Sequence, residues 1–255
     1  MKIAIVTGAS SGMGKEFVTQ IDKKCYGLDE IWLLARRKEA MEELQGSTEA
    51  KIRVFPIDLS DKTMLDQFEE CLAIEKPDVK ILVNSAGFGK TGAFDCIDKR
   101  ENLGMIEVNC IGLTAITYSV LPYMSKHSYV INLASVAGIL PQPDFAVYAA
   151  SKAYVLSFSR ALRREVRSRG ISVSTVCPGP VDTEFFQIAE QTGQTFMLKK
   201  FFYAKKEKVV GQALRETFQK KEVIVYSLPM KFLRVLVKVF PQSQILDIYV
   251  KMLGK

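Results

Sequence analysis

With 255 residues, 48% of them hydrophobic and 25% charged, the chain holds enough apolar material for one large domain and excludes a disordered or low-complexity protein. Five widely spaced cysteines and a single histidine, His127, exclude a disulfide scaffold and a histidine-rich metal site, and they point to a reduced, cytoplasmic setting. The net charge of +7 lies at the end of the chain: residues 195–255 hold 13 Lys/Arg against 4 Asp/Glu, the remainder 22 against 24, and no nucleic-acid recognition motif accompanies the excess.

The first strand-like run, IAIV (3–6), follows the start so closely that no signal peptide is expected ahead of it. Further apolar runs follow at IWLLA (31–35), IRVF (52–55), KILVN (80–84), YVINLA (129–134) and ISVSTV (171–176), separated by segments of helical spacing. Continuous apolar strands alternating with helices predict strands buried on both faces and joined by right-handed crossovers. Val108–Ser125 carries no charge over 18 residues, but Asn109, Thr114, Thr117, Ser119 and Pro122 favour a helix buried against protein over a membrane span. EVIVY (222–226) is expected as a short edge strand, and His127 as a surface loop residue. The fold class is α/β: a single Rossmann-type, doubly wound, mostly parallel sheet over 1–255. A substrate lid is expected over about 185–221, and C-terminal amphipathic helices over about 228–255.

Between the first strand and first helix lies TGASSGMG (7–14). Backbone amides at a helix N-terminus carry partial positive charge and bind pyrophosphate. Gly8 permits the tight turn, Gly12 lets the backbone approach a ligand, and Gly14 lets helix and strand pack closely. Tyr148 and Lys152, four residues apart, share a helix face. An ammonium about 4 Å from the phenol is worth on the order of 4 kcal/mol at an effective dielectric near 20, so Lys152 is expected to pull the Tyr148 pKa down.

The spacing GxxxGxG resembles the short-chain dehydrogenase/reductase family, and the rest of that pattern follows in order. ARR (35–37) ends the second strand, Asp58 sits in PIDLS, NSAG (84–87) ends the fourth strand, and Asn109 lies in VNCIG. Ser135 lies in NLASVAG, Tyr148 and Lys152 in YAASK, and PGPVDT (178–183) follows the sixth strand, so the resemblance covers about 1–185. It implies a catalytic set of Asn109, Ser135, Tyr148 and Lys152, with Lys152 also holding the nicotinamide ribose and Asn109 supporting a proton relay through water. It implies cofactor contacts from Gly8, Ser10, Ser11, Gly12, Met13 and Gly14 of the first loop. Arg36, Arg37, Asp58 and Leu59 would hold the adenosine end, with Asp58 at the adenine amine. Asn84, Ala86 and Gly87, with Pro178, Gly179, Val181 and Thr183, would complete the site alongside Tyr148 and Lys152.

Ala35 stands where enzymes using NAD place an acid, and two arginines follow it, so the cofactor is expected to be NADP(H), with Arg36 the main phosphate contact. The expected lid carries Phe185, Phe186, Phe196, Met197, Phe201, Phe202 and Tyr203, with GILPQPDF (138–145) as the opposite wall. That favours a bulky hydrophobic ketone or alcohol, first a hydroxysteroid or bile acid and second a 3-oxoacyl or other lipid-derived ketone. The tail from Lys231 to Phe240 is basic and amphipathic, with Lys231, Arg234 and Lys238 on one face. Packing on the pocket or a partner subunit, peripheral membrane contact, and neither of these are all open for it. The resemblance further implies a homodimer or homotetramer. A dinucleotide-sensing regulator is the non-enzymatic alternative, which steady NADPH oxidation with a ketone separates from an enzyme.

Overall fold

The structure is a computed structural model that describes residues 1–25, 27–189 and 204–252. Seven strands form one sheet in the order β3-β2-β1-β4-β5-β6-β7, with every pairing parallel. They are β1 (Lys2–Thr7), β2 (Glu30–Ala35), β3 (Lys51–Pro56), β4 (Asp78–Asn84), β5 (Met124–Leu133), β6 (Ser172–Cys177) and β7 (Val223–Val225). β1 lies between β2 and β4, so the chain reverses its direction of travel across the sheet there, and the loops after β1 and β4 part to leave a crevice.

Both faces of the sheet are apolar because alternate residues of each strand feed opposite cores. From β1, Ala4 and Val6 pack under α1 (Gly12–Lys24) and α8 (Lys206–Phe218), against Phe17, Ile21 and Leu214. Ile3 and Ile5 face the other way, toward Phe68 of α3 (Lys62–Glu75), Ile116 of α5 (Leu113–Val120) and Leu162 of α6 (Ala146–Glu165). The sole tryptophan, Trp32, is fully buried there. Its indole N–H donates to Glu30 at 2.8 Å, and the Arg53 guanidinium lies 4.8 Å from its ring centre. A buried polar seam crosses the sheet at β4 and β5. Asn84 Nδ2 donates to Thr117 Oγ1 at 2.9 Å and to Asn132 Oδ1 at 2.8 Å, and Asn132 Nδ2 donates to Ser159 at 2.9 Å.

The apolar segment around Asn109 belongs to a helical run, Lys99–Tyr123, that is long and apolar enough to cross a membrane by length and composition. It comprises α4 (Lys99–Ile106), a π-helical turn (Glu107–Gly112), α5 and a closing 3₁₀ turn, and it packs on β4, α3 and α6. β5 is longer than the run 129–134 because Met124 already pairs with Val79. His127 therefore lies within a strand, exposed and at φ +68°, at an irregularity in the pairing and not in a loop. β7 pairs parallel with β6 at the sheet edge. Two short helices, α2 (Lys38–Glu42) and α7 (Glu184–Ala189), follow β2 and β6, and α9 (Leu228–Val239) and α10 (Gln242–Met252) end the chain. Of the expected lid aromatics, Phe185 is described; Phe196, Met197, Phe201, Phe202 and Tyr203, and the side chain of Phe186, lie outside the described residues.

The tightest joint in the fold is where α1 leaves β1. A Cβ at Gly14 would fall on the carbonyl oxygen of Gly8, which is backbone and has no flexible end to yield. Gly14→Ala is expected to push α1 off the sheet and cost about 1–3 kcal/mol, as overpacking does. Urea unfolding followed by Trp32 fluorescence checks this; an unchanged midpoint would mean the helix shifts freely.

Candidate active site

The carboxyl ends of the parallel strands open on one cleft of about 750 Å³. Its floor is the first loop. Gly8 (φ +66°) and Gly12 (φ +52°) take left-handed conformations that side-chain-bearing residues rarely adopt. A Cβ on Gly8 would lie 2.8 Å from the Ala86 backbone, so glycine here also lets the β1 and β4 ends meet. Thr7 Oγ1 fastens that meeting by accepting the Ser85 and Ala86 amides, both at 3.1 Å. Ser11 precedes α1 in an extended conformation and makes no side-chain cap, so the first-turn amides are not taken by it. Ser10, Ser11, Met13 and the glycines line the cleft beside Ala86, Gly87, Pro178, Gly179, Val181 and Thr183. Left-handed glycines, a backbone that approaches without Cβ atoms, and an uncapped helix N-terminus fit the pyrophosphate of a dinucleotide.

At the β2 end, Ala35 brings no carboxylate, and Arg36 and Arg37 both line the cleft. Arg37, rather than Arg36, is tied to the first loop: its guanidinium reaches Ser10 Oγ at 3.4 Å and pairs with Glu184 at 3.0 Å. Arg36 is largely exposed and lies 4.0 Å from Asp58. Burial raises the Asp58 pKa, but two hydrogen bonds from Ser60 and the Arg36 charge outweigh it and hold the carboxyl below its usual range. Leu59 lines the cleft next to Asp58. Two arginines beside the loop serine Ser10 suit a phosphate on the adenosine ribose.

Three of the four expected catalytic residues face this cleft: Ser135, Tyr148 and Lys152. Ser135 lies two residues after β5 in extended backbone and accepts the Ala137 amide at 3.1 Å. Tyr148 and Lys152 lie on the first turns of α6, both buried. Gly138 permits that placement, because a Cβ there would meet the Lys152 backbone at 2.5 Å. Lys152 Nζ donates to the Leu133 carbonyl at 3.0 Å and lies 5.6 Å from the Tyr148 ring centre. Asn109 does not line the cleft. It sits behind it in the π-helical turn, fully buried, donating to Phe88 O at 2.9 Å and Ser151 Oγ at 3.0 Å and accepting from Phe88 N at 3.0 Å.

Two expectations are corrected. Asn84 does not reach the cofactor cleft; its side chain turns into the polar seam with Thr117 and Asn132. Lys152 does not pull the Tyr148 phenol down. Burial dominates and pushes it well above its usual value; a hydrogen bond with Ser135 opposes the rise and the neighbouring Cys177 adds to it. Desolvation acts on Lys152 too and lowers its pKa to about 8. Tyr148 therefore holds its proton firmly, in an apolar surround of Phe145, stacked at 4.2 Å, and Phe185 at 5.3 Å.

The cleft wall draws on residues far apart in the chain. Leu140, Gln142 and Phe145 come from the segment after Ser135, Phe185 from α7, and Met230, Leu233, Ile245 and Tyr249 from α9 and α10. Sequence reasoning placed Phe185 and the 138–145 wall but did not single out Thr7, Ile245 or Tyr249. Thr7 opens the glycine motif and was legible there; the α10 residues carry no local signal. Among the described residues no cluster of metal-ligating side chains occurs.

A sequence model described as short chain dehydrogenase matches residues 2–193. An NADP-dependent 3-hydroxy acid dehydrogenase of Schizosaccharomyces pombe is 34% identical over 192 residues, 72% of this chain and 73% of that protein. A very-long-chain 3-oxoacyl-CoA reductase of Coprinopsis cinerea is 33% identical over 181 residues, 68% of this chain and 52% of that protein. Among solved structures, a short-chain dehydrogenase from Sphingobium yanoikuyae in complex with NADPH superposes with a TM-score of 0.78 at 25% identity, covering 89% of each chain. The family match takes in every strand from β1 to β6 and the loops that floor the cleft, and the chain belongs to the short-chain dehydrogenase family.

Proposed function

We propose that this protein is an NADP(H)-dependent oxidoreductase that interconverts a ketone and a secondary alcohol on a bulky hydrophobic substrate. The observation that carries the reading is a buried Tyr148, packed against Phe145 and Phe185 and one helical turn from Lys152, in the same cleft that the glycine loop floors. NADP(H) would be held with its ribose phosphate at Arg36, Arg37 and Ser10 and its pyrophosphate at the α1 N-terminus, all of which line the cleft. When bound, it supplies the hydride that reduces the carbonyl carbon. Tyr148 donates its phenolic proton to the carbonyl oxygen, and Ser135 hydrogen-bonds that oxygen as negative charge develops on it. Lys152, held by the Leu133 carbonyl, would position the nicotinamide ribose beside the phenol. Lys152 and Asn109 both crowd Gly87, where a Cβ would lie 3.2 Å from Nζ and 2.7 Å from Oδ1; Asn109 fixes the Phe88 backbone behind the site, and solvent returns a proton to Tyr148 after the transfer.

A fused-ring ketone, a hydroxysteroid or bile acid, is the first choice, because rigid apolar surface matches a wall of Leu140, Phe145, Phe185, Met230 and Leu233. The 3-oxoacyl reading stands second and is supported by the 3-oxoacyl-CoA reductase similarity. Leu103, Ile111, Tyr118 and Tyr154 form an exposed apolar face on the helices carrying Asn109 and Tyr148, suited to a homodimer or homotetramer. All five cysteines are free, as a reducing, cytoplasmic compartment keeps them. A panel of keto-steroids, keto-bile acids and 3-oxoacyl thioesters, followed by NADPH absorbance, tests the substrate class. The highest kcat/KM is expected for a fused-ring ketone; a preference for oxoacyl thioesters selects the second reading, and no turnover with any ketone favours a dinucleotide sensor.

Tyr148→Phe is expected to leave NADPH binding intact and to lower kcat about 10²–10⁴-fold, the span of general acid catalysis; a variant keeping a tenth of the activity overturns the role. Arg36→Ser with Arg37→Ser is expected to weaken NADPH roughly 10–100-fold, since hydrogen bonds to charged groups are worth about 1.5–3 kcal/mol, and to leave NADH unchanged. Titrations with both cofactors decide it, and an unchanged ratio would place the phosphate elsewhere. Lys152 sets a pH signature. Its pKa is about 8 folded against 10.5 unfolded, so between these values the unfolded chain binds more protons and stability rises with pH. Unfolding midpoints of the cofactor-free protein from pH 8 to about 9.5 should rise relative to Lys152→Met; parallel curves would mean the ammonium is solvated.

A further inference from the structure

Helix α9 is apolar on two opposite faces. Met230 and Leu233 turn inward onto the cleft. On the outside, Leu228, Phe232, Val235 and Val239 follow one another at i, i+4, i+7 and i+11, which keeps them in a single stripe. Each is between 57% and 78% exposed, and Phe240 extends the stripe at the corner before α10. Lys231 and Lys238 stand exposed along one edge, whereas Arg234, expected on the same face, is half-buried and directed at the Val223 carbonyl at 3.5 Å. Residues 223–246 contain no acidic side chain, and 228–252 carry four basic groups against Asp247 alone.

We propose that this stripe docks α9 on an anionic lipid surface, with Leu228, Phe232, Val235 and Val239 in the headgroup–acyl boundary and Lys231 and Lys238 at the lipid phosphates. A soluble surface rarely leaves so contiguous an apolar stripe uncovered. The charge selects the occupant. A second copy of the chain would set one basic segment against another, whereas an anionic bilayer neutralises both lysines as the apolar stripe enters it. Because the two faces of one helix are only about 10 Å apart, docking brings the wall of the cleft next to the lipid. Docking requires neither turnover nor the substrate assignment, so its test stands apart from theirs.

The full-length protein is co-sedimented with vesicles of phosphatidylcholine alone, or with about 30% phosphatidylserine added, at low and high salt. The expected result is binding to the phosphatidylserine vesicles, weaker binding to phosphatidylcholine, and loss of the difference at high salt. Lys231→Gln with Lys238→Gln should weaken phosphatidylserine binding roughly 30-fold, since a basic residue at such a surface contributes about fivefold. Phe232→Ser with Val239→Ser should abolish binding to both vesicle types. Both variants alter exposed side chains, so their melting temperature and NADPH binding should match wild type, which separates lost docking from lost folding. The proposal is overturned if the wild type stays in the supernatant with phosphatidylserine vesicles, or if both variants sediment as it does. It is also overturned if Phe232→Ser with Val239→Ser only dissolves a concentration-dependent oligomer that binds no vesicles.

Discussion

Everything at the site depends on one constraint: all seven strands run the same way, so all their carboxyl ends open on one edge. Parallel strands need crossovers, and crossovers in both directions from β1 part the loops between β1 and β4. The gap is usable only if the two strand ends can still meet. Gly8 and Gly14 allow that by bringing backbone against backbone, and Thr7 holds the contact with two amides from the opposite loop. A side chain at Gly8 would strike the Ala86 backbone and part the two strand ends, and one at Gly14 would wedge α1 from the sheet. The same edge presents the arginines after β2, Ser135 after β5 and the 178–183 loop after β6.

Burial is the second organising effect, and it acts against charge. Tyr148 and Lys152 sit where water is excluded, so the phenol keeps its proton and the ammonium gives its own up more readily. The Leu133 carbonyl holds Lys152 in place, and Phe145 and Phe185 both pack on the Tyr148 ring. Such a phenol stays neutral and can hydrogen-bond a carbonyl oxygen, but it is a weaker acid than a free tyrosine. It gives up its proton only as hydride transfer builds negative charge on that oxygen and makes it the stronger base. Asn109, fastened by three hydrogen bonds in a π-helical turn, fixes the Phe88 backbone behind this pair.

The fold was legible because its signals are local. Runs buried on both faces are continuous in sequence, and a glycine required by backbone geometry is visible as a glycine. What escaped was what depends on direction or on distant chain. The motif NSAG marks the end of β4, but only the pairing of Asn84 with Asn132 decides that the side chain turns under the sheet. Arg36 and Arg37 are adjacent, and the loop opposite, through Ser10 and Glu184, decides which of them is tied down. Spacing of four shows that Tyr148 and Lys152 share a face without showing that both are desolvated, and desolvation reverses the expected direction of the phenol's shift. Ile245 and Tyr249 reach the cleft only because α9 and α10 fold back over it.

If the cleft reduces a carbonyl with NADP(H), the hydride must pass from the nicotinamide to the carbinol carbon. The most direct measurement is isotopic: purified protein, NADPH carrying deuterium at each face of the nicotinamide C4 in turn, a bulky keto-steroid, and mass analysis of the alcohol. Deuterium is expected on the carbinol carbon from one labelled face and not from the other, with one NADPH oxidised per alcohol formed. Alcohol formed without label from either face, or NADPH oxidised with the ketone recovered unchanged, would contradict that transfer.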